Sequence, residues 1–371
     1  MSGCETNCLK LCITIYLSKQ HDLYQIIYFK NYFIIMSKLT NCLLKKDPSC
    51  RPVWFMRQAG RYLPEFREIR QQNKDFIKLC LNSNLSSEIT LQPIKRFNLD
   101  AAIIFSDILM VPYGLGQEVK FIKDEGPILS PFNLEIFKKN SIDQFKNKLN
   151  PIYEAIKLTR KNLDKQKSLI GFVGAPWTLI VYMFGLKKNK EELDLDILKQ
   201  KEKEIKETIN LLIEYLCLHI ESQFKAGAEV IQIFDSWAGL IPEAKLSDYC
   251  FEPNKKIVQF CKNNKIPVIC FPRNLNKNYL KFADIVKPDC LSLDYKIDPI
   301  WAKENLKNYC LQGGMDPKIL FEKEDVIFKE VDKYLTIFKD CPYIFNLGHG
   351  LLPQTNPDVL QKVIERVNNF K

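Results

Sequence analysis

Residues 230–294 read VIQIFDSWAGLIPEAKLSDYCFEPNKKIVQFCKNNKIPVICFPRNLNKNYLKFADIVKPDCLSLD. Three short apolar runs stand in this stretch, at 230–234, 268–271 and 290–293, with helix-length amphipathic segments between them. Runs this short have the length of buried strands, and the spacing leaves room for helical crossovers, so the stretch predicts successive βα units. The rhythm continues outward. Upstream lie runs at 53–56, 101–105 and 169–173; downstream lie 309–312 and 343–346. Between the third and fourth runs, Ile205, Ile209, Leu212, Leu216 and Ile220 recur at intervals of four and three, one apolar face of a long helix that stops before Gly227. Eight units with no internal repeat or low-complexity linker after residue 39 predict one α/β domain, a (β/α)8 TIM barrel over residues 36–371. A doubly wound sheet is the competing arrangement, but Gly114 and Gly116 lack a third glycine and no GxxxxGK[ST] occurs.

A parallel barrel builds its active site at the C-terminal ends of its strands. After the eight runs come, in order, Arg57 to Arg61, Ser106 and Asp107, Gly174 to Pro176, Asp235 and Ser236, Pro272 and Arg273, Asp294, Gly313 to Pro317, and Leu347 to Gly350. Polar and glycine-rich residues therefore gather at one end. Arginine usage sharpens the pattern: the chain has nine Arg among 54 basic residues, and five of them (Arg51, Arg57, Arg61, Arg67, Arg70) fall within 51–70, RPVWFMRQAGRYLPEFREIR. A guanidinium grips a carboxylate or phosphate at two points, whereas Lys offers a point charge on a flexible stem. The turn through Gln58, Ala59 and Gly60 is expected to bring backbone close to a ligand, with Arg57 and Arg61 flanking it and Tyr62 and Phe66 lining a pocket. A solvated basic loop or a phosphate nest is the alternative for the same residues.

Composition narrows the function classes. The chain has 371 residues with 46% hydrophobic content, enough for a large core, and no run approaches the roughly 18 apolar residues that span a bilayer. Its net charge of +10 is spread over Lys interleaved with Glu and Asp, as in KQKEKEIKE (199–207), the pattern of a solvated helix face rather than a nucleic-acid patch. Thirteen Cys, an odd number without a CxxC pair, point to reduced thiols in a cytosol-like compartment, and the CxxxCxxxC of Cys4, Cys8 and Cys12 is read as chance. Residues 1–35 carry apolar patches broken by Lys19, His21, Asp22 and Lys30, and Met36 begins MSKLTNCLLKK. They are expected to be an extension, either a spurious start ahead of Met36 or a plastid or other organelle presequence.

Two long segments, RPVWFMRQAGRYLPEF (51–66) and GFVGAPWTLIVYMFG (171–185), resemble the two signatures of the uroporphyrinogen decarboxylase family, and the likeness runs from about Leu39 to the C-terminus. The resemblance implies a TIM-barrel lyase of porphyrin and haem biosynthesis. Its substrate would be the tetrapyrrole uroporphyrinogen III, its four acetate side chains decarboxylated to give coproporphyrinogen III, without cofactor or metal, in a cytoplasmic homodimer with no nucleic-acid or membrane partner. It makes Asp107, after AAIIFS, the central catalytic residue that receives the pyrrole N–H groups and stabilises the transition state, although the residue alone is equally a helix N-cap. It places Arg57, Tyr182 and His349 in the catalytic set, with Arg57 a candidate proton partner through salt-bridged neighbours. Arg57, Gln58, Ala59, Gly60, Arg61, Phe66, Asp107, Tyr182, Ser236 and His349 are the implied substrate contacts.

From the residues themselves, His349 lies between glycines in NLGHG and suits a carboxylate ligand or a proton carrier near neutral pH, whereas His219, mid-helix, reads as structural. Tyr182 and Ser236 would otherwise read as a packed ring and a helix cap. Two positions depart from the family pattern: Gly314 stands where Asn is common, and Asn274 where Gly is frequent, though Asn tolerates a left-handed backbone. A zinc-dependent methyltransferase on a related barrel and a basic nucleic-acid-binding protein are the competing functions. The first would need a thiolate and imidazole cluster, and no Cys adjoins the strand-end motifs.

Overall fold

Residues 36–122, 126–189 and 192–370 are described by a computed structural model. The proposed extension over residues 1–35, with Cys4, Cys8 and Cys12, lies outside the described residues. The strands are β1 (Ala101–Ile103), β2 (Val119–Ile122), β3 (Gly126–Leu129), β4 (Ser168–Gly174), β5 (Val230–Asp235), β6 (Val268–Pro272), β7 (Cys290–Leu293), β8 (Cys310–Gly313) and β9 (Tyr343–Ile344). Seven of them form one parallel sheet in the order β1-β4-β5-β6-β7-β8-β9, with helices in the connections. Buried on both faces, such strands are mostly apolar, which is why each reads as a short apolar run in the sequence.

Seven of the eight predicted runs are strands of this sheet; the first, 53–56, closes the ring without becoming one. Val53 forms a single parallel bridge with Phe345, beyond the end of β9. On that side the Phe345 N–H donates to Pro52 O at 2.8 Å and the Trp54 N–H to Phe345 O at 3.3 Å. On the other side the Asp100 N–H donates to Val53 O at 2.9 Å, while an Asp100 carboxylate oxygen accepts the Val53 N–H at 2.7 Å and the Lys38 ammonium at 3.1 Å. A side chain thus replaces the ladder bonds that a longer strand would supply. The result is a (β/α)8 barrel whose first stave is only a few residues long.

Side chains fill the barrel in layers. At the N-terminal ends of the strands, Ala101, Ile170, Val230, Cys290 and Cys310 pack with Leu39, Cys42 and Leu43 of the helix Lys38–Lys45, which plugs that end. Two residues further along the strands the layer is polar: the Trp54 indole N–H donates to Gln312 Oε1 at 2.9 Å, and Gln312 Nε2 donates to Ser292 Oγ at 3.1 Å and Gln232 Oε1 at 3.2 Å. The C-terminal mouth lies beyond that layer. Outside the strands, Ile205, Ile209, Leu212, Leu216 and Ile220 are buried along the helix Glu202–Lys225, and Gly227 follows it in the left-handed region at φ 116°. The antiparallel pair β2–β3 has no counterpart in the sequence reading. Among the described residues no disulfide forms, and no helix is long and apolar enough to cross a membrane.

Replacing Asp100 with Ala removes the acceptor that ties the first stave to β1 and leaves the Val53 N–H unsatisfied. The expected cost is about 1–3 kcal/mol, measured as a lower urea midpoint with unchanged slope.

Candidate active site

Asp107 follows β1 where the chain turns inward. The strand end is clamped first: the Phe105 N–H donates to Thr90 Oγ1 at 2.8 Å and Phe105 O accepts from Ser86 Oγ at 2.6 Å, both on the helix Ser83–Arg96. Asp107 then accepts the Leu109 N–H on one carboxylate oxygen at 2.8 Å. The capping interpretation is therefore half right, because one oxygen holds the turn while the other has no protein donor. Burial pushes the Asp107 carboxyl up to about 6, against the Leu109 N–H and the positive charge of Arg57, which pull it down.

Two other strand-end carboxylates show the contrast. Asp235 is pushed up to about 6 by burial as well, yet it accepts from Thr178 Oγ1 at 2.7 Å and Asn254 Nδ2 at 3.1 Å. Asp294 accepts the Asn274 N–H at 2.7 Å, the Lys296 N–H at 2.8 Å and the Tyr279 hydroxyl at 3.1 Å. Both are consumed in holding loops together. Of the three, Asp107 keeps the most acceptor capacity for a ligand.

Arg57 itself takes the left-handed conformation, φ 63°, which is costly for a residue with a side chain and common where function over-determines the backbone. At Gly60 a Cβ would sit 2.8 Å from Arg57 O, so the glycine makes room for the turn. Gln58 is also reassigned. Fully buried, it accepts the Phe55 N–H and donates to Ala101 O, each at 3.0 Å, and has no spare face for substrate. Phe66 is only 4% exposed and Tyr62 only 2%; Phe66 packs edge-on to Phe105 at 5.7 Å, so these rings back the site from the core instead of lining it. Ala59 stays half-buried in the same loop.

The Arg57 side chain lies against the loop that follows the neighbouring last stave. A Cβ on Gly350 would meet Arg57 Cδ at 2.4 Å, so the NLGHG loop carries a glycine where the guanidinium stem passes. Arg57 lies within electrostatic reach of Tyr182, Asp107, Arg61 and Arg273. Desolvation first, and then the Arg57 and Arg273 charges, lower the His349 imidazole to about 3, so it is neutral and its buried Nδ1 has no partner. A neutral imidazole with an open Nδ1 is placed to hydrogen-bond. His219, by contrast, meets the Tyr153 hydroxyl at 2.9 Å inside the core, as expected of a structural histidine.

Burial raises the Tyr182 hydroxyl above its ordinary range, opposed by the nearby Trp237 indole, whose ring lies edge-on at 6.0 Å. Ser236 is not a cap; the short 3-10 helix Ala238–Leu240 follows Trp237 without a side-chain cap. Asn274 does adopt the left-handed backbone, at φ 62°, and Gly314 does so at φ 101°. Among the described residues no ion pair involves Arg57, which removes the salt-bridged neighbours expected to make it a proton partner. No three metal-ligating side chains converge among the described residues.

A family model described as uroporphyrinogen decarboxylase (URO-D) matches residues 36–370. The chain belongs to the uroporphyrinogen decarboxylase family. It is 38% identical over 338 residues to a uroporphyrinogen decarboxylase of Jannaschia sp. (strain CCS1), covering 90% of this chain and 98% of that one. It is 39% identical over 335 residues to that of Rickettsia bellii (strain RML369-C), covering 88% and 97%. In fold it is similar to a methyltransferase from Methanosarcina mazei, with TM-score 0.70, 16% identity and coverage of 90% and 98%. At that identity the likeness speaks for the barrel alone.

Sequence reasoning placed Arg273 at a strand end but gave it no role; in the structure it lies within electrostatic reach of Arg57, Tyr182 and His349. Its position just after a predicted strand, and its rarity as one of nine Arg, were the available signals. If Arg57 holds the Asp107 carboxyl down, a carboxyl-resolved NMR titration of the ligand-free protein should place Asp107 near 6 and move it upward in Arg57→Gln. An unmoved midpoint would show that the two groups are not coupled.

Proposed function

We propose that this chain is a uroporphyrinogen decarboxylase that removes the four acetate carboxylates of uroporphyrinogen III with Asp107 as the electrostatic centre. The observation that carries the roles is the half-satisfied Asp107 carboxylate among guanidiniums that have no carboxylate of their own. Family membership over residues 36–370 supports the reaction.

The chemistry asks for such a group. Protonation of a pyrrole ring carbon makes an iminium-like cation. The acetate C–C bond then breaks, its electron pair passes into the ring, and CO2 leaves. Reprotonation of the exocyclic carbon and loss of the ring proton restore the pyrrole with a methyl group, so one proton is consumed for each CO2 released. The pyrrole is its own electron sink, and this sequence needs no cofactor. An ionised Asp107 beside the ring N–H groups favours the cationic transition state over the neutral ground state, which is the condition for accelerating the step. In this reading Arg57 and Arg61 grip substrate carboxylates, while Tyr182, Ser236 and neutral His349 supply hydrogen bonds. The enzyme is further proposed to be a cytoplasmic homodimer, on the family resemblance.

Full-length protein incubated anaerobically with uroporphyrinogen III should yield coproporphyrinogen, read as coproporphyrin after oxidation. Asp107→Asn, folded by circular dichroism, should lose at least about 100-fold in kcat, the scale seen when a preorganised electrostatic group is removed. No product from well-folded parent would overturn the assignment. The active form carries ionised Asp107, so kcat/KM should fall as the pH drops through about 6, where the carboxyl becomes neutral. An acid limb near the ordinary carboxylate range would indicate that another group governs activity.

A further inference from the structure

The nine Arg sort by partner. Arg96, Arg160 and Arg366 pair with Glu65, Glu229 and Asp332, while Arg51, Arg67 and Arg70 donate to backbone carbonyls. Among the described residues Arg57, Arg61 and Arg273 have neither kind of partner, and all three follow the first or fifth apolar run at the barrel mouth. Arg57 and Arg61 belong to the family signature. Arg273 lies on the far side of the sheet order, after β6, and its Nε is buried without an acceptor. A buried donor left unmet is costly, so its absence of a protein partner calls for one from outside.

The backbone holds Arg273 in place. Its N–H donates to Asp235 O at 3.1 Å, and its carbonyl accepts the Gly239 N–H at 2.9 Å. The next residue, left-handed Asn274, is pinned by Asp294 at 2.7 Å and fits only because Gly239 has no Cβ, which would sit 2.4 Å from the Asn274 Cβ. Asp235 and Asp294, whose carboxylates are consumed in the loops, thus serve to aim this guanidinium. Arg273 lies within electrostatic reach of Arg57, Tyr182 and His349, while Arg57 is the guanidinium that acts on Asp107.

We propose that Arg273 is a third substrate anchor that holds a non-reacting carboxylate arm, one of the propionates; this rests on the decarboxylase reading above. The choice of arm follows from the reaction. A carboxylate that leaves as CO2 loses its charge in the transition state, so a two-point ion pair to it would stabilise the ground state more and slow the step. A propionate keeps its charge through all four decarboxylations and can be gripped throughout.

Arg273→Gln, Arg273→Lys and the parent are compared in the anaerobic assay, and coproporphyrinogen affinity is measured anaerobically by inhibition of uroporphyrinogen turnover. Loss of a charge-assisted hydrogen bond should raise KM for uroporphyrinogen about 10- to 100-fold in Arg273→Gln with kcat within roughly threefold. The inhibition constant for coproporphyrinogen should rise by a similar factor, and Lys should recover part of each. Unchanged KM, or a raised KM with unchanged product affinity, overturns the proposal, the latter because only acetates are absent from the product. A fall in kcat alone overturns it too. If Arg273→Gln does not fold, Arg273→Lys decides on the same two constants. Inactive parent would fail the decarboxylase reading; active parent with indifferent Arg273 variants would fail only the anchor.

Discussion

A carboxylate with a free oxygen, in a place where water is scarce, is an expensive thing for a fold to keep. Asp107 keeps one because its other oxygen closes the turn after β1 and because Arg57 stands close enough to offset part of the desolvation. Neither interaction neutralises it fully. In the ligand-free site Asp107 and Arg57 stand within electrostatic reach of each other without forming an ion pair. A direct Asp107–Arg57 ion pair would satisfy both groups and leave neither for a ligand.

Keeping the charges apart needs rigid supports, and the polar residues nearby supply them. Gln58 occupies both ends of its amide in the turn that carries Arg57, and Asp235 and Asp294 spend their oxygens on neighbouring loops. Glycines supply clearance in turn: Gly350 lets the Arg57 stem pass, and Gly348 lets its loop lie against Tyr295, where a Cβ would be 2.3 Å from the backbone nitrogen. Below the site, the layer of Trp54, Gln232, Ser292 and Gln312 links staves across the barrel by directional bonds, which fix strand positions more closely than apolar packing alone.

The mouth also shows how one residue type divides its labour. Arg residues with a protein partner sit at helix ends and surface seams, and those without one sit over the strands' C-terminal ends. Its own burial, and then the charges of Arg57 and Arg273, lower the His349 imidazole and keep it neutral in the ligand-free site, as suits a hydrogen-bonding group.

From the sequence alone came the barrel, the end of it where polar residues gather, and, through the family resemblance, the expected roles of Asp107, Arg57, Arg61 and His349, because buried parallel strands read as apolar runs and the residue after each run must lie at one end. What each polar side chain touches was settled only in three dimensions. Gln58 and Phe66 sit in the signature with the Arg residues, yet one is tied to Ala101 and the other packs on Phe105, partners brought in from the next stave. The first stave is only a bridge, held by Asp100 on one side and Phe345 on the other, and β2–β3 is a short hairpin set in the connection after β1, outside the βα rhythm that marks the barrel. Arg273 comes into electrostatic reach of Arg57 and His349 because β6 takes its place in the closed order of staves, a neighbourhood distant in sequence. Periodicity is a property of the chain, whereas the free or occupied state of a lone pair depends on what folding places next to it.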